Sequence, residues 1–436
     1  MRAGVRLNLF QRMMLRWRDL HPYNPVHVVR VPAALEPERV RACIAERLVA
    51  LGLTGLRVDL ARGRFRYEGG PASVELAVAA AGSDAQAELA RTIEREFNRP
   101  FPRAERENPF RFVAVDERGA FQLVLAYDHY VASGDSIARL LSGIALAYLG
   151  AGEQRVPMER YSPTYRNLFL RHPLWVMRSI VGLARTVALA RRTYRVRYAK
   201  VEDGYNAFTY LRLGPPEHGA LLASSKAWGV TLNELLMASL LQALSPLAAQ
   251  RRSERRRNEL AVASILNMRR DFGSETLDAL SPFLAAFRVA HAVPEGIGVR
   301  QLALHVHDAT ARIKLGHLYL QSIMILGVSA LVWPWLSESR RHGLYPKHFP
   351  AWAGITSLNL NPIWARSGCA DTARLDYLRA VPTGPLCPLV FAVTSAHDVL
   401  HIGIAFRTAA FSRAEVDQVA AAFMQIIGDL PVEASA

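Results

Sequence analysis

Apolar positions along the chain recur with a period of three to four in some stretches and alternate or run continuously in others. The switches between these patterns mark its elements. Residues 8–31 open with a helical turn, pass through the polar HPYNP loop and enter a strand at Val26–Val31. From Pro37 to Leu51, the side chains of Val40, Ile44, Leu48 and Leu51 share one face of an amphipathic helix. Leu56–Asp59 and Arg64–Tyr67 have the pattern of short strands. A second helix is expected over Ser83–Phe97, entered by the Ser-Asp pair and stopped by Pro100 and Pro102, which forbid its continuation. Pro109–Val115 and Phe121–Ala126 then read as two strands joined by the Asp116–Gly119 turn. A tight polar turn follows, and a helix begins at Ser136. The order β, α, β, β, α, β, β, turn, α predicts an α/β lobe ending near Gly150.

The next stretch differs in character. Pro173 to Tyr194 reads as one helix carrying Trp175, Val176, Ile180, Leu183, Val187 and Leu189, with Arg171, Arg178, Arg185 and Arg192 at every seventh position. No acidic residue interrupts Asn167 to Lys200. Such a pattern suits a basic helix lying on a membrane surface, or equally an interlobe helix with a solvated arginine stripe. A second lobe begins near Tyr205 with a strand at Ala207–Leu213, a helix at Pro216–Trp228 and a strongly apolar helix capped by Thr231 or Asn233. SERRRNEL is expected as a surface turn, and LAVASILNMRRDF as a buried strand running into Arg269, Arg270 and Asp271. Gly298 to Lys314 is helical; its His305 and His307, two apart, point to different faces and do not form a shared metal site. Leu315 to Ser337 contains no Asp, Glu, Lys or Arg, yet His317, Gln321, Ser322 and Pro334 argue for a helix buried between lobes or dipping into a lipid interface rather than a span. Strands at Ala353–Asn361, Arg374–Ala380, Leu389–Ser395 and Val399–Arg407 and a helix at Ala414–Ile427 close the chain. The expected units are an N-terminal lobe at 1–160, a basic linker at 161–205 and a C-terminal lobe at 206–436.

Composition narrows the class. Of 436 residues 51% are apolar and 21% charged, which excludes a largely disordered protein. The three cysteines, Cys43, Cys369 and Cys387, are scattered singly, forming neither a disulfide framework nor a zinc knuckle, and fit a reducing cytoplasm. Arginines interrupt the first twenty residues, so no secretory signal is expected there. The net charge of +15 is almost all arginine, lysine occurring only at 200, 226, 314 and 347. That excess suits an acidic carrier protein or anionic lipid headgroups; no zinc-finger or recognition-helix pattern supports nucleic acid.

The polar turn after Ala126 holds one histidine, His129, between a buried strand and a helix. A strand fixes the backbone, Gly134 allows a turn that a side chain would obstruct, and Ser133 or Asp135 can cap the helix, which makes a good mount for a general base. Locally the bland alternative, a surface or core histidine, is the commoner one.

The segment Asp128-His129-Tyr130-Val131-Ala132-Ser133-Gly134-Asp135-Ser136 resembles the HHxxxDGxS motif of the superfamily of chloramphenicol acetyltransferases, nonribosomal-peptide condensation domains and bacterial wax-ester/diacylglycerol acyltransferases. The second His, the Gly and the final Ser agree; Asp128 replaces the first His and Ser133 replaces the Asp. The flanks are similar in the same order: LFQ at 9–11, PYN at 22–24, EFNRPF at 96–101, NPFRFVAV at 108–115, VTLNELLMASLLQAL from 230, ILNMRRD from 265 and the closing hairpin from Val381. The resemblance implies an α/β (α+β) fold of two chloramphenicol acetyltransferase-like lobes around a central tunnel. It implies acyl transfer from acyl-CoA or an acyl-carrier-protein thioester to a hydroxyl or amine; the arginine-rich linker helix and the charge-free 315–337 stretch favour a long acyl chain or lipid acceptor, in lipid or lipidated natural-product biosynthesis. His129 would be the general base, with no resident cofactor, no metal and no covalent acyl-enzyme. Arg269 matches the arginine that pairs with the motif Asp across the lobes. Since Ser133 is no anion, a substitute acid is expected, either Asp128 or Asp135. Asp128 is alternatively placed to orient the imidazole. Tyr130, Ser357 and Asn359 are candidates for substrate or oxyanion contacts. A cytoplasmic protein, peripheral on the inner membrane face, is expected. The competing reading is a catalytically degenerate relative that binds lipid, carrier protein or a biosynthetic partner.

Overall fold

The computed structural model describes residues 4–80, 84–103, 106–151, 158–160, 164–250, 257–273, 278–292, 294–365, 372 and 375–431. Ser83, Cys369, the turn at 253–256 and most of the connection between the expected lobe and linker lie outside them. Among the described residues there are three sheets.

The N-terminal lobe is built on a five-stranded sheet in the order Asp376–Ala380, Val26–Val31, Ala120–Tyr127, Phe110–Glu117, Leu76–Ala80. Ala120–Tyr127, the strand that leads to His129, is its centre and is buried at every position, as its unbroken apolar run requires. The helix Gly134–Tyr148 packs against this sheet and against the helix Pro37–Ala50, whose buried face is Val40, Ile44 and Leu48. The second lobe has a six-stranded sheet in the order Leu284–His291, Leu260–Asn267, Ala353–Asn359, Leu389–Ala396, Val399–Arg407, Asn206–Leu213. The apolar helix Leu232–Gln250 lies against it, entered by a reciprocal cap in which Thr231 Oγ1 accepts from the Glu234 amide and Glu234 Oε2 accepts from the Thr231 amide. The third sheet is small, Val5–Arg6, Arg64–Tyr67, Leu56–Asp59 and Arg106–Glu107.

The lobes interlock. Asp376–Ala380 comes from the C-terminal part of the chain yet pairs antiparallel with Val26–Val31 at the edge of the N-terminal sheet. Gly403 makes that crossing feasible, because a Cβ there would collide with the Arg379 carbonyl. The flanking segments that resemble the family have structural tasks of their own. In EFNRPF and NPFR, Glu96 Oε2 accepts from Arg111 Nε at 2.8 Å, and the guanidinium lies 3.8 Å over the Phe101 ring. Gln11 shares a capping box with Asn8 and donates from Nε2 to the Tyr130 carbonyl at 3.0 Å, tying the first helix to the motif turn.

Two regions differ from expectation. The linker helix, Pro173–Ala190, buries only Ser179 and Ala190. Its inner face is small and polar: Ser179 Oγ donates to the His317 carbonyl at 3.0 Å and Thr186 Oγ1 to Gln321 Oε1 at 2.7 Å. All four arginines of the row are exposed, and two of them are also anchored. Arg171 donates to the Phe272 carbonyl at 2.9 Å and Arg192 pairs with Glu259 at 3.2 Å. The charge-free segment forms a helix only over Leu320–Val332, with Leu320, Ile323 and Leu326 buried and Val328 and Leu331 exposed.

Candidate active site

Between the two main sheets lies a cavity of about 720 Å³ whose walls come from both lobes. Tyr23, His27, Tyr127 and His129 face it from the N-terminal lobe, and Ile265, Thr356, Ser357 and Val390 from the C-terminal lobe. His129 stands where Ala120–Tyr127 ends. Its ring is held by Tyr23, centroid to centroid 5.1 Å, and edge-on by Tyr127 at 5.9 Å. Nδ1 is sealed from solvent and makes no well-formed hydrogen bond, which leaves Nε2 as the ring nitrogen open to the cavity. Burial lowers the imidazole to about 4, while the carbonyls of Ala132 and of His129 itself pull the other way. The ring is therefore neutral at physiological pH, the form that can accept a proton.

The turn around it is fixed from three sides. The Ser133 amide donates to the Leu280 carbonyl at 3.0 Å, and Ser136 Oγ donates to the Ala279 carbonyl at 2.8 Å. Arg269 supplies the third side. Its guanidinium forms an ion pair with Asp135 and donates to Ser133 Oγ at 2.6 Å and Ser136 Oγ at 3.0 Å. Ser133 Oγ in turn donates to Asp135 Oδ1 at 2.5 Å. The substitute acid is thus Asp135, two residues beyond the expected position, and Ser133 serves as a neutral relay. Burial lowers Arg269 to about 10, so it keeps its charge at neutral pH. Ser133 occupies the N-cap position of Gly134–Tyr148 but makes no capping hydrogen bond, because its hydroxyl is committed to Arg269 and Asp135.

Asp128 faces the other way. It forms an ion pair with Arg18 of the first helix, and Arg18 also lies 3.5 Å from Glu107. Burial raises Asp128 to about 6 against the pull of Arg18; burial alone would lower Arg18, but the two carboxylates hold it above its ordinary value. Asp128 therefore neither pairs with Arg269 nor orients the imidazole. Tyr130 is drawn into the same group: its hydroxyl donates to Glu107 Oε2 at 2.6 Å, and it is not on the cavity wall. Asn359 is also off the wall and accepts from the Asn361 amide at 3.0 Å. Ser357 does face the cavity, its hydroxyl donating to Asn233 Oδ1 at 2.8 Å. Of the three substrate or oxyanion candidates, only Ser357 reaches the chamber.

Two further cavity residues have no local sequence signal. His27, fully buried on Val26–Val31, has Nδ1 2.7 Å from the Tyr377 hydroxyl. Arg379, on the crossing strand, donates from Nε to Thr394 Oγ1 at 3.0 Å and from one terminal nitrogen to the carbonyls of Thr356 at 2.9 Å and Val393 at 2.7 Å. Gly134 explains itself against these two. Its backbone is ordinary, but a Cβ would lie 3.2 Å from the other Arg379 terminal nitrogen and 3.7 Å from His27. No group of three or more metal-ligating side chains occurs among the described residues.

No model of a known protein family matches the sequence, and no curated protein does. Solved structures match over the whole length. The first condensation domain of the calcium-dependent antibiotic synthetase aligns with a TM-score of 0.70 at 14% identity, covering 100% of this chain and 98% of that one. The cyclization-docking bidomain EpoB from Sorangium cellulosum aligns with a TM-score of 0.69 at 15% identity, over 99% of this chain and 86% of that one. A variant of the starter condensation domain of rhizomide synthetase, in complex with C8-CoA and Leu-SNAC, aligns with a TM-score of 0.66 at 11% identity, over 98% and 94%. The chain has the condensation-domain fold: two chloramphenicol acetyltransferase-like lobes facing each other across the cavity that holds His129.

Proposed function

We propose that the chain is an acyltransferase that moves an acyl group from a thioester to a hydroxyl or amine, with His129 as general base. The observation that carries this reading is a buried, neutral imidazole whose only accessible nitrogen opens into a chamber shared by both lobes. Nε2 takes the proton of the acceptor O–H or N–H as that atom attacks the thioester carbonyl. The carbonyl π electrons move to oxygen; as the intermediate collapses, the C–S bond breaks and the thiolate recovers the proton from the imidazolium. No acyl-enzyme forms, and the thioester is a co-substrate rather than a resident cofactor.

The donor reading rests on charge. A pocket of about 570 Å³ lined by Arg191, Arg192, Arg195, Arg257, Lys347 and His348 adjoins the chamber, sharing Phe349 with it. It suits the phosphates of acyl-CoA or of a carrier protein's arm and the acidic surface of the carrier. The apolar chamber walls favour a long acyl chain, and with it a lipid or lipidated natural product. The C8-CoA and Leu-SNAC bound in the rhizomide synthetase domain are ligands of these same chemical kinds. The test is thiol release from octanoyl-CoA and an octanoyl carrier protein with a panel of alcohols and amines, products identified by mass spectrometry. Acceptor-dependent release supports the proposal. Binding of the thioesters without release with any acceptor would favour the degenerate binder instead.

The linker helix supports a second, compatible proposal, that the protein sits on an anionic membrane face in the cytoplasm. Val181 is 82% exposed and Leu174 64%, with Met177 and Ile180 beside them, while the polar side of the helix packs inward. Trp335, at 79%, follows the neighbouring helix. An apolar outer face edged with arginine is the pattern of an interfacial helix.

A further inference from the structure

Arg379 is a buried cation that the protein itself does not neutralise. It is 4% exposed, and its partners are one hydroxyl and two carbonyls. No carboxylate among the described residues meets it. The other terminal nitrogen makes no hydrogen bond and lies beside Gly134 at the cavity wall. Next to it His27 lines the cavity but is fully buried, and its unpartnered Nε2 is sealed against Gly134, 3.7 Å from where a Cβ would stand. In the tautomer where the Tyr377 hydroxyl donates to Nδ1, that Nε2 carries a hydrogen. Both donors converge on the glycine that begins the helix Gly134–Tyr148, whose first amides have the partial positive charge of a helix N-terminus. The one carboxylate in this turn, Asp135, is already held by Arg269.

We propose that Arg379, packed beside His27, forms a subsite for a carboxylate of the acceptor, whose hydroxyl or amine lies a few bonds away within reach of His129. A buried guanidinium without a counterion is costly to maintain, and a full negative charge present in the ground state removes that cost. A single open guanidinium nitrogen suits a carboxylate better than a phosphate dianion, which needs more donors. His27 lies close enough to both Arg379 and His129 for charge on either to lower its proton affinity, so subsite and base share one end of the chamber. The subsite rests on the reading of that chamber as an acyl-transfer site, and it specifies the acceptor. A carrier-bound aminoacyl thioester has lost its α-carboxylate, so the acceptor is a free hydroxy or amino acid, or one with a second, side-chain carboxylate.

The test is calorimetric titration of the protein with 3-hydroxyoctanoate and with its uncharged amide, no donor being present. The wild type is expected to bind the acid about tenfold more tightly. Sodium chloride weakens only the acid. Arg379→Gln, checked for folding by circular dichroism, brings the two affinities together, and Arg379→Lys keeps part of the preference. Equal or undetectable binding of acid and amide by the wild type, or a preference that survives Arg379→Gln, overturns the subsite. If Arg379→Gln does not fold, Gly134→Ala replaces it: its methyl crowds the guanidinium and is expected to erode the preference, and an intact preference overturns the subsite. Turnover is not measured, so loss of the preference leaves the acyl-transfer reading standing, and failure of acyl transfer leaves this binding result standing.

Discussion

Two buried ion pairs flank the imidazole of His129, and both hold charge away from it. Arg18 takes Asp128 to one side, and Arg269 takes Asp135 to the other. The imidazole is left with apolar and aromatic surroundings, and burial lowers it to about 4. Its ordinary value is about 6.5. Between these values the unfolded chain binds the extra proton, so this residue's contribution to stability is complete above about 6.5 and is lost as pH falls toward 4. For activity the consequence is an acid limb of kcat/KM set near 4 rather than near 6.5, readable from a pH–rate profile wherever the fold persists. The second pair is a test of the displaced acid. Asp135→Asn leaves the Arg269 guanidinium buried without an anion and is expected to cost about 3–5 kcal/mol in urea unfolding. Adding Ser133→Asp to that variant restores the acid at the family's position and recovers most of the loss. His129 and Arg269 could be picked out of the sequence because their neighbours follow a known order. Arg379 and His27 could not, since each is a polar residue in a short strand with no motif around it and their chain separation hides that they meet at Gly134. Tyr130 follows His129 directly, but the turn sends its hydroxyl to Glu107 instead of the chamber.

At the scale of elements, the linker helix is the informative case. Its apolar residues predict a helix correctly, but periodicity does not say which side is buried. Here Ser179, Gly182 and Thr186 meet the opposing Gln321; a Cβ on Gly182 would come within 2.7 Å of its amide nitrogen. Replacing Met177 and Val181 by Asp is therefore expected to leave thermal unfolding nearly unchanged. The same change abolishes co-sedimentation with anionic liposomes, which high salt also weakens in the parent protein. Binding indifferent to salt and lipid charge would count against the interfacial reading. Most strands were legible, Leu56–Asp59 and Arg64–Tyr67 to the residue. Four were not: the two-residue strands Val5–Arg6 and Arg106–Glu107 are too short to show a period, and the other two share a reason. Leu76–Ala80 and Leu284–His291 are rich in alanine, which has weak strand preference, and both lie at sheet edges, where no residue of the first and only three of the second are buried.

At the scale of the molecule, the two lobes are not separable halves. The crossing strand Asp376–Ala380 completes the N-terminal sheet and carries Arg379 to the chamber, and Arg269 stitches the motif turn to the C-terminal lobe. The order of segments in the sequence implied two lobes about a tunnel, but the exchange of a strand has no signature in periodicity, because a strand reads alike in either sheet. This interlocking holds His129 at the seam between the lobes, where the acyl-transfer proposal has donor and acceptor meet. The most direct test of that account is acceptor-dependent thiol release from octanoyl-CoA or an octanoyl carrier protein, compared between the parent protein and His129→Ala. The account predicts a fall of about a hundredfold or more with unaltered thermal unfolding. Equal release by a well-folded His129→Ala protein would contradict it.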